Sequence, residues 1–443
     1  MTDRPVVSAI GGAQHGGQPL AGGPLTADPI SHFLLVLALV VVVCSLLAWL
    51  ARCLRQPPVV GEIIGGLLLG PSGLARLFPA ASAWLLRPSV VATLNAVAQL
   101  GLVTFIFLLG SELRLGRAGA QARTVGAVVV GSIGLPFAGG IALAAVGRPV
   151  LAGSASRSTA YLLVFGLAVS ITALPVLARI LADSGIDKTR IGTLSLAAAA
   201  VGDGMAWLAL TLILAVSGLA GTGNAALTIS MAAALVLVTL VIVRPLLAVL
   251  LLRADGQAIL LPTLVAGAVG YAALTQLIGL HAAVGAFLFG AILPRDLAMV
   301  RTIRQQLHGF TEAVLLPCFF ASVGLTTTID AISGSPANWG LLATVVLIAM
   351  ATKLCGAGAG AYLTGLPVRE SLQIGALMNC RGVTELIVAT ICLQYHLVSR
   401  AGFTILVLMA VITTVVTGPL LRLLSRQPRS AMSNLQHAGL EMR

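Results

Sequence analysis

Ser170-Ile171-Thr172-Ala173-Leu174-Pro175 stands inside an apolar run covering residues 158–183. A run of that length reads as a membrane-spanning helix, because a bilayer core of about 30 Å takes about 20 apolar residues. Proline has no N–H for the helical ladder and its ring clashes with the preceding turn, so an interruption is expected at Pro175. A second run, 369–395, carries Met378-Asn379-Cys380-Arg381-Gly382, polar and glycine-containing where lipid-facing residues would be apolar. The interruption there is expected at Asn379 and Gly382. Two interrupted helices leave carbonyls and helix ends free inside the bilayer, where they can coordinate a cation.

The rest of the chain fits a membrane setting. Of 443 residues 58% are hydrophobic and 9% are charged, against about 25% charged in a soluble domain. So few charges cannot cover a globular surface, and lipid must solvate most of the chain. Between loops marked by Arg, Gly and Pro there are thirteen apolar segments, so the fold class expected is an all-α polytopic membrane protein. The net charge of +12 needs no nucleic acid, since basic residues collect in cytoplasmic loops. Of the 26 Lys and Arg, 18 lie on one set of alternate loops and the C-terminus, and 6 on the other. That bias places the C-terminus in the cytoplasm and the N-terminus outside, in a cell (inner) membrane. Residues 1–28 read as a disordered extracellular tail and 426–443 as a cytoplasmic tail, with no appended soluble domain expected. Cys44, Cys53, Cys318, Cys355, Cys380 and Cys392 sit in or beside apolar runs without metal-ligand spacing and read as packing residues.

An internal repeat accompanies the interruptions. Val60-Gly61-Glu62-Ile63-Ile64-Gly65-Gly66 to Pro71 parallels Val284-Gly285-Ala286-Phe287-Leu288-Phe289-Gly290 to Pro294, matching Gly61 with Gly285 and Gly66 with Gly290. Small-residue motifs recur in any helical membrane protein, which is the plain alternative. A real repeat would have an offset of seven spans, which inverts the second copy, and inverted repeats are typical of secondary transporters. The same offset relates the two interrupted segments.

Ionisable residues within spans are costly and are therefore functional candidates. Glu62 and Glu112 lie near span ends and read as interfacial; Glu312 precedes Leu315-Leu316-Pro317 near a surface. Glu385 follows Arg381 at the i, i+4 spacing that allows pairing. Asp203 is isolated, in Ala197-Ala198-Ala199-Ala200-Val201-Gly202-Asp203-Gly204, with no cationic residue within four positions. Such an acid must be protonated, bind a cation or meet a distant partner. Lys353, deep in Ala351-Thr352-Lys353-Leu354, is that natural partner. His281 is the one histidine well inside the spans and reads as interfacial.

At these residues the chain resembles the monovalent cation:proton antiporter-2 family of the sodium/proton exchanger superfamily, from about residue 30 to 425. The matching stretches are Pro57 to Ile63 with Gly70-Pro71, Ser170 to Arg179, Gly202-Asp203 with Trp207, Leu316 to Phe320 with Gly324, Lys353, and Asn379 to Gly382 with Glu385. The resemblance implies a sodium/proton antiporter-like fold with two broken, crossing helices. It implies a dimerisation scaffold at about 29–111 and 257–329, a moving core at about 123–217 and 338–424, and a linker helix at about 225–252, in a homodimer. Many relatives carry Asp-Asp or Asn-Asp where this chain has Gly202-Asp203, so Lys353 must pair with Asp203 or with backbone oxygens.

The function expected is exchange of a monovalent cation, sodium or potassium, for protons. Asp203 is the shared cation and proton site, with Ser170 and Thr172 as oxygen ligands and Lys353, Arg381 and Glu385 as supporting charges. One isolated acid predicts electroneutral exchange. No nucleotide-binding motif or transition-metal cluster is present in the sequence, so no cofactor and no enzyme activity is expected. The competing readings are proton-coupled export of a small organic cation or natural product, which Gly202 would make room for, and a potassium efflux channel-like module.

Overall fold

The computed structural model describes residues 29–425, except 113–120, 155–158, 218–224, 254–256, 279 and 295–297. Among the described residues the chain is almost entirely helical. The helices that position the site are α1 (Pro29–Cys53), α2 (Pro58–Leu69), α3 (Pro88–Glu112), α4 (Ala122–Val146), α5 (Thr159–Ser170), α6 (Leu174–Asp183), α7 (Arg190–Val216), α8 (residues 225–253), α9 (Gln257–Leu277), α10 (Ala282–Ala291), α11 (residues 298–326), α12 (Pro336–Leu363), α13 (Val368–Leu377), α14 (Val383–Gln394) and α15 (Arg400–Ser425). Ten helical stretches among the described residues are long and apolar enough to cross a bilayer, and α5, α10 and α14 are shorter apolar helices. Large apolar side chains such as Val42, Leu46, Leu208 and Val241 point outward, as lipid-facing residues must.

Two groups of helices pack internally. In one, α2 lies between α1 and α11, and α10 between α9 and α3. In the other, α4 packs on α12, α5 and α7, while α15 packs on α12, α13 and α14. Contacts of α2 with α15 and of α7 with α10 join the groups.

The first group carries the repeat in its packing. A Cβ on Gly61 would strike the Leu47 carbonyl of α1, and one on Gly66 the Phe320 carbonyl of α11. A Cβ on Gly285 would strike the Tyr271 carbonyl of α9, and one on Gly290 the Phe107 carbonyl of α3. The matched glycines thus make matched contacts: the first of each pair with the span before its own motif, the second with the span after the other motif. Chance recurrence of small residues does not produce that reciprocity. Close backbone approach through glycine is what lets helices associate where no hydrophobic force acts between them.

Both interruptions exist, and the first lies elsewhere than expected. The backbone leaves the helix at 171–173, and Pro175 is the second residue of α6. The first positions of a helix have no intrahelical use for their N–H, so proline fits there at no cost in hydrogen bonds. Pro175 therefore starts the second half-helix, and the open segment precedes it. The second interruption spans 378–382, with Asn379 inside it and Gly382 at the start of α14. A Cβ on Gly382 would run into the Val176 side chain of α6, so this glycine lets the two broken helices pack closely.

Candidate functional site: two crossed helix breaks and a buried acid

Backbone groups exposed by a break cannot turn to water inside a bilayer and must find protein partners. The two breaks answer each other: the Ala173 N–H donates to the Cys380 carbonyl at 3.0 Å, and the Thr172 hydroxyl donates to the Met378 carbonyl at 2.9 Å. The open end of α5 is closed by cations from distant parts of the chain. Arg381 donates through Nη1 to Ala168 O at 3.3 Å and through Nη2 to Val169 O at 2.5 Å. Lys353, from α12, donates through Nζ to Ser170 O and to Thr172 Oγ1. At the start of α6 the Leu174 N–H donates to Asp203 Oδ2 at 3.4 Å. Positive groups thus sit at the carbonyl end of one half-helix and a carboxylate at the N–H end of the next, which is the arrangement the helix dipole favours.

Asp203 is 1% exposed, and its second oxygen, Oδ1, has no hydrogen-bond partner. Lys353 is fully buried and makes no ion pair with Asp203 within 4.0 Å; its ammonium goes to the oxygens of the first break instead. Of the two partners left open for Lys353 by the sequence, the structure shows the backbone. Ser170 contributes its carbonyl to Lys353, while its hydroxyl turns back to Leu167 O at 2.8 Å.

Arg381 and Glu385, both fully buried, approach to 3.5 Å. The Glu385 oxygens make no well-directed hydrogen bond, so the contact is ionic. Thr414 of α15 closes the second break: it accepts from the Arg381 N–H at 3.1 Å and donates to the Arg381 carbonyl at 2.6 Å. Asn379 is buried with neither amide atom partnered. Thr414 was missed by sequence reasoning, because threonines bonded to their own helix are common in spans and Thr413 and Thr417 beside it are such cases.

The other candidates lie apart. Glu312 is exposed and contacts His308 at 3.4 Å, Glu62 is half-buried on α2, and the Glu112 side chain is outside the described residues. His281 caps α10, its Nδ1 accepting from the Ala283 N–H at 3.3 Å.

The described residues thus bring a buried acid to the first of two helix breaks that hydrogen-bond to each other inside a bundle of apolar helices. Residues 38–427 match the family model described as "Sodium/hydrogen exchanger, transmembrane", and the chain belongs to that family, one of transporters rather than enzymes. It is 36% identical over 422 residues to cation/H(+) antiporter 20 of Arabidopsis thaliana, covering 90% of this chain and 49% of that protein. It is 34% identical over 400 residues to the Na(+)/H(+) antiporter NhaS4 of Synechocystis, covering 87% and 96%. The chain spans about half the length of the first curated relatives it matches. The solved structure of the sodium proton antiporter MjNhaP1 from Methanocaldococcus jannaschii superimposes with a TM-score of 0.67 at 16% identity, covering 90% of this chain and all of that one. The fold is thus that of a sodium/proton antiporter, in a multi-pass membrane protein.

Proposed function

We propose that this protein exchanges a monovalent cation, sodium or potassium, for protons, with Asp203 as the one carboxylate both ions share. The observation that carries this reading is the state of that carboxylate: buried, held by one oxygen to Leu174, and free at the other. A free carboxylate oxygen in a buried site offers one seat for a positive charge. A proton and a cation taking turns there cannot bind together, and trading one for the other moves no net charge. Electroneutral exchange follows. Ser170 and Thr172 supply further oxygens from the break.

In this reading the group α4–α7 with α12–α15 is a moving core, the group α1–α3 with α9–α11 a scaffold, and α8 a linker. The core carries Asp203 past the scaffold and opens it to each side in turn. A homodimer through the scaffold, an inner-membrane location and a cytoplasmic C-terminus belong to the same proposal; the excess of basic residues on one set of loops supports the orientation. The cavity beside the site, of about 60 Å³, favours an inorganic cation over an organic one, because pockets for drug-sized ligands run from about 300 Å³ upward.

The test is proton movement in everted membrane vesicles from an antiporter-deficient host, with an acid interior and added sodium, potassium or lithium salts. Wild type is expected to dissipate the gradient with at least one cation and Asp203→Asn with none. Exchange by the mutant equal to wild type removes Asp203 from the mechanism. Competition makes a second expectation: the cation concentration for half-maximal exchange rises as pH falls, while the maximal rate at saturating cation holds. A transport current in sealed proteoliposomes contradicts electroneutrality.

A further inference from the structure

The space at Gly202 is unlike that at the core's other close-packed glycines. At Gly131 and Gly356 an added Cβ would strike the facing backbone carbonyl, so packing between α4 and α12 demands glycine there. At Gly202 an added Cβ would meet only Ile133 Cδ1, at 3.9 Å. Packing does not require this glycine, and the room it leaves is part of the cavity of about 60 Å³ lined by Ser132, Ile133, Ser170, Thr172, Met205 and Met378 among others. Liquid water takes about 30 Å³ per molecule and needs two to four polar partners to stay in a buried site.

The hydroxyls in that wall have a common orientation of chemistry. Ser132 donates its hydrogen to Val129 O at 3.1 Å, Ser170 to Leu167 O at 2.8 Å and Thr172 to Met378 O at 2.9 Å. A hydroxyl has one hydrogen and two lone pairs. With all three hydrogens committed, the hydroxyls have only lone pairs left for the cavity, one of Thr172's being taken by Lys353. Such a wall accepts and does not donate, and suits a cation or the hydrogens of a cation's water. Asp203 does not itself line the cavity; it follows the lining residue Gly202 in the chain and accepts from the Leu174 N–H next to the break.

We propose that Ser132 and the space at Gly202 form a hydration subsite, in which the transported cation keeps a water held by the Ser132 hydroxyl. This rests on the exchange reading above and deepens it. Water takes the ligand position that a side chain at residue 202 would fill, and Ser132 becomes an affinity-determining residue on a helix from which the sequence offered no candidate.

The test uses the purified full chain in proteoliposomes with an internal pH dye, titrated with sodium, potassium and lithium chloride. Ser132→Ala is expected to raise the half-saturating cation concentration about fivefold, the scale of one hydrogen bond, with the maximal rate within about twofold of wild type. Adding Gly202→Ser to Ser132→Ala places a hydroxyl on the opposite wall and is expected to restore affinity, which a merely structural role for Ser132 would not allow. Gly202→Val, which fills the space with hydrocarbon, is expected to weaken affinity at least as much and serves if Ser132→Ala does not accumulate. Wild-type affinity in Ser132→Ala, or in Gly202→Val, overturns the subsite, as does failure of Gly202→Ser to restore it. Absence of exchange by wild type itself sinks the antiport reading instead.

Discussion

The two helix breaks solve the same problem with different materials. The first, at 171–173, is closed by charge brought from far along the chain: Lys353 and Arg381 on its carbonyls, Asp203 on its N–H side. At the second, 378–382, the hydrogen bonds to the open backbone come from neutral groups, namely the Thr172 hydroxyl, the Ala173 N–H and the Thr414 hydroxyl, and the Arg381–Glu385 ion pair spans its edge. A break held by charges responds to any cation or proton that enters, because each changes the local field. A break held by neutral hydrogen bonds does not. Under the exchange proposed above, the first break is the one expected to sense the ion and the second its fixed counterpart, so the two differ in what their disruption should do.

The largest effect is expected at Arg381, which belongs to the second break by sequence and serves the first by contact. Arg381→Met leaves Glu385 buried without its partner, a loss of about 3–5 kcal/mol, and in addition strips two charged hydrogen bonds from Ala168 O and Val169 O. The detergent-solubilised variant should melt far below wild type or fail to accumulate. Adding Glu385→Leu should recover part of the loss, and not all, because the Ala168 and Val169 carbonyls stay bare. Equal stability of the single and double variants would show that the ion pair does not organise the break.

Next comes Lys353→Met, which takes a charged donor from Ser170 O and Thr172 Oγ1, at about 1.5–3 kcal/mol per charged hydrogen bond. Both thermal stability and exchange should fall. Loss of exchange at unchanged melting temperature would mean that the lysine acts on the ion without holding the break.

The smallest effect sharpens the contrast. Thr414→Val removes two neutral hydrogen bonds at the second break, about 1–2 kcal/mol in all. Melting temperature should drop while the half-saturating cation concentration stays at the wild-type value. A shift in that concentration would show that the second break, too, reads the ion.

Much of this is legible in the sequence. A lone aspartate and a lone lysine in apolar runs stand out because burying charge in lipid is costly, and both are found in the site. The paired glycine motifs pointed to a repeat, and their reciprocal contacts bear it out. The position of the first break was less legible: Pro175 is visible in the sequence, but its effect depends on whether the chain uses proline to end one helix or to begin the next. Ser132 and Thr414 were not legible at all, since a hydroxyl in a span looks the same whether it serves its own helix or a neighbour.

By itself the sequence determined that the chain is a helical, multi-pass membrane protein with an isolated acid in one span and interruptions in two others. It could do so because hydropathy, helix-breaking residues and isolated charges are local properties, read within a turn or a span. Only the tertiary structure decided that Lys353 docks on Ser170, 183 residues away, and makes no ion pair with Asp203, and that Arg381 reaches across to the carbonyls of α5. Those choices depend on ångström-scale approach between helices remote in the chain, which no local pattern records.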